Sequence, residues 1–126
     1  MGWGLENLPS LSELEFGGKS EDVKSFPEAM FLPNSLTRLT ISDFPSMESL
    51  DNKGLRHLTS LRYLDIFRCP MFKFLPEEGL PASLRYLEIN GCPLLEKQLK
   101  RRKGKEWCKI AHIPSIRIGG ELIWTI

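Results

Sequence analysis

Leu61-Arg-Tyr-Leu64-Asp-Ile66-Phe-Arg-Cys69-Pro70 is repeated 23 residues later as Leu84-Arg-Tyr-Leu87-Glu-Ile89-Asn-Gly-Cys92-Pro93. The shared phrase is an apolar residue, two variable positions, Leu, one variable position, then Ile or Phe. It also occurs upstream, as Leu11-Ser-Glu-Leu14-Glu-Phe16 and Leu36-Thr-Arg-Leu39-Thr-Ile41, so successive starts lie 25, 25 and 23 residues apart. Alternation of apolar and polar residues is the mark of a half-buried strand. One such strand with its loop cannot bury its own apolar side, and only stacking on neighbouring copies does so.

This period and phrase are those of a leucine-rich repeat. The expected fold is an α/β-type solenoid, mostly strands and loops: a leucine-rich-repeat horseshoe fragment with parallel strands and few short helices. Residues 1–96 read as about four repeats, and residues 97–126 as a C-terminal basic segment with a capping strand. Three residues after the last strand apolar comes a recurring slot, filled by Phe44, Cys69 and Cys92, each followed by Pro. A small buried residue there helps turn the chain off the strand. The first repeat departs, with Lys19 at the slot, so a looser turn is expected after Phe16.

Pro27, Pro33, Pro45, Pro70, Pro76, Pro81 and Pro93 fall between the strands. Their spacing excludes long return helices and favours irregular connections. Gly54 and Gly79 recur in the sub-pattern Leu-x-x-x-Gly-Leu, where each is expected to take a turn conformation that few other residues adopt. Residues 97–106 read as a short polar helix or loop. Trp107, Ile110 and Ile113 are expected to plug the last open end of the stack, and Ile116 and Ile118 to lie on a terminal strand. At the other end no polar cap precedes Leu11. Trp3 and Leu5 are the candidates to cover it, which makes the first repeat the expected weak end.

The 126 residues carry a net charge of +1. Residues 1–96 hold 9 basic against 14 acidic residues, −5, and residues 97–126 hold 8 against 2, +6. Most of the basic excess is the run from Lys97 to Lys105. Without interleaved aromatic residues it lacks the stacking platforms of a single-strand nucleic-acid site, so it reads as a solvated segment, and nucleic-acid binding is not expected. A nuclear-targeting role for the run stays open. No apolar run reaches the ~20 residues of a membrane span. Neither a signal peptide nor an Asn-x-Ser/Thr sequon is visible, which favours the cytosol. Cys69, Cys92 and Cys108 form no metal motif, and the first two are expected to pack as buried reduced thiols.

Nothing in the chain reads as catalytic, and no cofactor is expected. Gly17-Gly18-Lys19-Ser20 lacks the earlier glycine of a phosphate loop. His112, between Ala111 and Ile113, reads as a packed side chain. What remains is the outward face of the strands. Its columns run Glu13, Arg38, Tyr63, Tyr86; then Glu15, Thr40, Asp65, Glu88; then Ser42, Phe67, Asn90. The candidate protein-binding residues on this concave face are Arg38, Tyr63, Asp65, Phe67, Arg68, Tyr86 and Glu88. Tyr63, Tyr86 and Phe67 are expected to form an exposed aromatic patch with charged flanks, since Tyr and Arg are enriched at interface hot spots. Cross-strand stacking that only stabilises the sheet would give the same pattern.

Three stretches resemble the C-terminal leucine-rich-repeat end of plant disease-resistance proteins of the coiled-coil, nucleotide-binding class. They are Leu58-Thr-Ser-Leu61-Arg-Tyr-Leu64-Asp-Ile66-Phe-Arg-Cys69-Pro, the segment Leu75-Pro-Glu-Glu-Gly79-Leu80-Pro-Ala-Ser-Leu84 with Gly91-Cys92-Pro-Leu-Leu95, and Trp107-Cys-Lys-Ile110-Ala-His-Ile113-Pro-Ser-Ile116-Arg-Ile118-Gly-Gly. The chain departs from that class at Cys108, where the family often has Pro, and at Gly119-Gly120, where it often has an acidic residue before Gly. The resemblance implies a recognition or autoinhibition role in plant immunity. Its implied partners are a pathogen effector, a guarded host protein or the receptor's own nucleotide-binding domain. That domain lies upstream in the family and none of its phosphate-binding motifs is present here, so the chain reads as a fragment or isolated repeat module. An extracellular repeat receptor or inhibitor and a ubiquitin-ligase substrate-recognition repeat are the alternatives.

Overall fold

The computed structural model describes residues 12–17, 25–26, 32–50, 55, 58–76, 79–101 and 103–125, the side chains of 25, 26, 124 and 125 excepted. Strands form where the phrase recurs: β1 (Glu13–Gly17), β3 (Arg38–Ser42), β5 (Tyr63–Phe67) and β6 (Tyr86–Asn90). Between them lie two short strands, β2 (Ser25–Phe26) and β4 (Ser49–Leu50), which pair in parallel as a separate ladder. Phe74 adds an isolated parallel bridge to Ser49. Helices α1 (Pro93–Leu99) and α2 (Lys105–Cys108) follow, then β7 (Ser115–Ile118) and β8 (Glu121–Thr125).

The main sheet has the order β1-β3-β5-β6-β7-β8, and all pairs are parallel except β7 with β8. Register follows the phrase residue for residue: Leu14 faces Leu39, Leu39 faces Leu64, Leu64 faces Leu87 and Leu87 faces Ile116. Because a strand side chain alternates with period two, this register puts every phrase Leu and Ile on one face. Leu39, Ile41, Leu64, Ile66 and Ile89 are fully buried there, in one cluster that runs from Leu32 to Ile118. On β1 the equivalent Leu14 and Phe16 are only half-buried. Trp3, Leu5 and the expected looser turn at Lys19 lie outside the described residues.

The turn slot behaves as its composition requires. Phe44, Cys69 and Cys92 are all buried, and the two thiols are free. The hydrogen bond between these thiols lowers the pKa of Cys69 and raises that of Cys92, and burial adds to the rise. One residue earlier the chain adopts a left-handed conformation at each of these three turns, at Asp43 (φ 60°), Arg68 (φ 53°) and Gly91 (φ 78°). That bend lets the first two of these turns donate to the next strand: Asp43 N–H to Phe67 O and Arg68 N–H to Asn90 O. A Cβ on Gly91 would sit 3.0 Å from the Arg68 backbone nitrogen and 3.1 Å from its Cα. Gly91→Ala should therefore cost about 1–3 kcal/mol, read as a lowered urea midpoint. Gly79 also takes positive φ, 86°, while Gly54 lies outside the described residues.

The C-terminal segment packs on the sheet beside β6. Helix α1 starts at Pro93, four residues before the polar stretch expected at 97–106, so the division at residue 96 falls inside it. Proline is favoured at a helix's first position, and Glu96 reaches back to accept the Cys92 N–H at 2.7 Å. Trp107, Ile110 and Ile113 are buried in the core, beside β7. Below them lies an ion pair that sequence reading missed. Lys109 Nζ and Glu106 Oε2 are 3.0 Å apart, both almost wholly buried. Glu106 Oε1 accepts the Leu75 N–H and Lys109 Nζ donates to the Leu75 carbonyl, each at 2.8 Å. His112, expected to be packed, is exposed: the core positions on either side of it are Ala111 and Ile113, and it points the other way.

Candidate functional site

Opposite the core, the sheet's other face carries the columns that the register defines. In the first, Glu13 faces Arg38, Arg38 faces Tyr63, Tyr63 faces Tyr86 and Tyr86 faces Ser115. Parallel in-register strands bring the two tyrosines into a stack with ring centroids 4.7 Å apart and planes within 6°. The Arg38 guanidinium lies 5.4 Å from the Tyr63 ring centroid, within the range of a cation–π contact. Tyr63 and Tyr86 remain 38% and 47% exposed. The stack therefore stabilises the sheet and also presents a rigid aromatic surface.

The second column is set by Asp65. Its Oδ2 accepts from Arg38 Nε at 2.9 Å and from Thr40 Oγ1 at 3.2 Å. Asp65 was expected as an exposed contact residue, yet it is 6% exposed. It does lie in the outward column, but Arg38 and Thr40 on the neighbouring strand close over it. The hydrogen bond from Arg38 to Asp65, with the charge of Asp65, raises the pKa of Arg38. Arg38 thus stays charged, anchored at one end and stacked on Tyr63.

Phe67 is half-buried and sits four residues along β5 from Tyr63, a separation of about 13 Å at the strand rise. The single aromatic patch expected from the sequence is therefore two features, a tyrosine stack and a separate phenylalanine wall. Arg68 stands apart, in the left-handed turn after β5. Its Nε and Nη2 donate to Asp43 Oδ1 and Oδ2 at 2.8 and 3.0 Å, which raises its pKa. Glu88 is half-buried in the second column, opposite Arg117. The structure thus brings together Arg38, Tyr63, Asp65 and Tyr86, with Phe67 on the same face, Glu88 beside Asp65 in register and Arg68 at its rim.

A groove of about 360 Å³ opens on this face, lined by Glu13, Leu14, Glu15, Arg38, Thr40, Asp65 and Phe67. Glu13 and Glu15 belong to the columns but were not among the candidate residues, because the aromatic signal drew the choice toward β5 and β6. Among the described residues no group of three or more His, Cys, Asp or Glu is arranged to hold a metal ion. None of the helices there is long and apolar enough to cross a membrane.

Over 120 residues, 95% of its length, the chain is 35% identical to the Arabidopsis thaliana protein named "Putative disease resistance protein At3g14460". Over that length the chain is related to this putative disease-resistance protein. It spans about 8% of the length of that relative. No family model matches it, and no solved structure does. A match of that length takes in β1, β3, β5 and β6, the strands that build the open face.

Proposed function

We propose that this chain is the C-terminal leucine-rich-repeat end of a plant immune receptor of the coiled-coil, nucleotide-binding class. Its sheet is one end of a horseshoe solenoid, and the open face is a non-catalytic surface for protein recognition or autoinhibition. The partner is a pathogen effector, a guarded host protein or the receptor's own nucleotide-binding domain. The site of action is the cytoplasm, with the Lys97–Lys105 run as a candidate nuclear signal. In-register stacking at a 23–25-residue period supports the solenoid. The relationship to a disease-resistance protein supports the immune setting.

The observation that carries the recognition role is the row of Arg38, Tyr63 and Tyr86. A guanidinium held by a buried carboxylate and two stacked, exposed rings form a surface that loses little conformational freedom on binding. The test is transient expression in leaf tissue of the full receptor carrying this segment, with and without Tyr63→Ala/Tyr86→Ala. Protein accumulation and the cell-death response are both scored. Either a lost response to the matching pathogen signal or a response without it is expected, at unchanged accumulation. A double variant that signals like the parent would overturn the proposal.

A further inference from the structure

We propose that the groove across β1, β3 and β5 receives one cationic side chain, Lys or Arg, from a basic segment of the partner protein. This assignment rests on the open face being a recognition surface. Glu13, Glu15 and Asp65 line the groove against a single guanidinium, Arg38. The charge of Arg38 is already offset by Asp65. Glu13 and Glu15 are exposed and form no ion pair among the described residues. The groove lining therefore carries three carboxylates against one guanidinium, in a segment of the chain that is acidic as a whole.

A second observation points the same way. The Asp65 side chain is 8% exposed. Its Oδ2 takes both of its hydrogen bonds, from Arg38 and Thr40, and Oδ1 takes none from any described residue. A buried carboxylate oxygen without a donor is costly, and this one belongs to the groove lining. An ammonium or guanidinium from a partner supplies a donor to Oδ1 and offsets the acidic excess of the lining. The half-buried Phe67 ring on the same groove suits the methylene stem that precedes such a head group. At about 360 Å³ the cavity is at the small end of ligand sites, which fits one long side chain rather than a packed element. An acidic partner would meet Glu13 and Glu15 with like charge.

The test is an NMR titration of the isotope-labelled 126-residue chain at low salt. The probes are pentaarginine amide, its uncharged pentacitrulline counterpart and pentaglutamate. Pentaarginine should shift amides of residues 13–15, 40 and 65–67, with pentacitrulline binding more weakly. Glu13→Gln/Glu15→Gln should weaken pentaarginine binding roughly three- to tenfold, while Glu121→Gln, on exposed β8, should leave it unchanged. Equal weakening by Glu121→Gln, pentaglutamate binding in the groove, or no shift there would each overturn the proposal. So would concentration-dependent groove shifts without peptide, which would assign the groove to the Lys97–Lys105 run of a second copy. Pentaarginine shifts confined to Tyr63 and Tyr86 would overturn the groove but leave the recognition face standing. The leaf assay reads that face independently of any peptide.

Discussion

Leu64→Ala should destabilise the chain by about 2–5 kcal/mol, the range for removing a fully buried leucine and leaving a cavity. Leu64 has no exposed surface and lies in register between Leu39 and Leu87. Both neighbours are held by parallel ladders on either side, so neither strand can close the void without breaking register with the next. Tyr63→Ala, one residue away, removes a side chain that points to the opposite face. Its loss is limited to the stack with Tyr86 and the contact with Arg38, about 0.5–1.5 kcal/mol for an aromatic pair. Urea unfolding of the two variants measures the difference, as midpoint shifts at unchanged slope. Equal shifts would mean that the inward and outward faces are reversed.

The strands were legible because each uses the same physical device. Period-two alternation fixes the face and the 23–25-residue repeat fixes the partner, so Leu14, Leu39, Leu64 and Leu87 identify four strands and their order. The turn slot was legible for the same reason, since Phe44, Cys69 and Cys92 fall at one offset. Strand β8 was not foreseen, although Gly119-Gly120 is a two-residue hairpin signal. Both glycines take positive φ, 61° and 85°, and the chain folds back on β7. The Arg68–Asp43 pair depends on two successive turns adopting the left-handed conformation, which no single repeat reveals. At the candidate site Arg38, Tyr63, Arg68 and Tyr86 are exposed as their positions suggest, but Asp65 is not. Asp65 is buried by side chains from another strand, a consequence of stacking that alternation alone cannot express.

Lys109→Met should cost about 3–5 kcal/mol, although it replaces a charged residue with an apolar one of similar length. The substitution leaves Glu106 as a buried carboxylate without a counter-charge, and it removes the donor to the Leu75 carbonyl. A double variant, Glu106→Gln/Lys109→Met, should recover much of the loss. The Gln side chain still offers an oxygen to the Leu75 N–H, and the unpaired charge is gone. The effect should also be local at first. Glu106 and Lys109 flank Trp107 and precede Ile110, so loosening them frees the plug from the loop at Leu75 before it disturbs β3 or β5. Hydrogen exchange in Lys109→Met should accelerate over residues 105–118 more than over residues 38–42 and 63–67. Release of that segment would leave β6 as an unpaired sheet edge, a template for strand addition by another chain. Concentration-dependent association should then accompany the exchange. A cost below about 1 kcal/mol, the range of a solvent-exposed pair, would show that the Glu106–Lys109 bridge is open to water and that apolar packing alone holds the C-terminal plug.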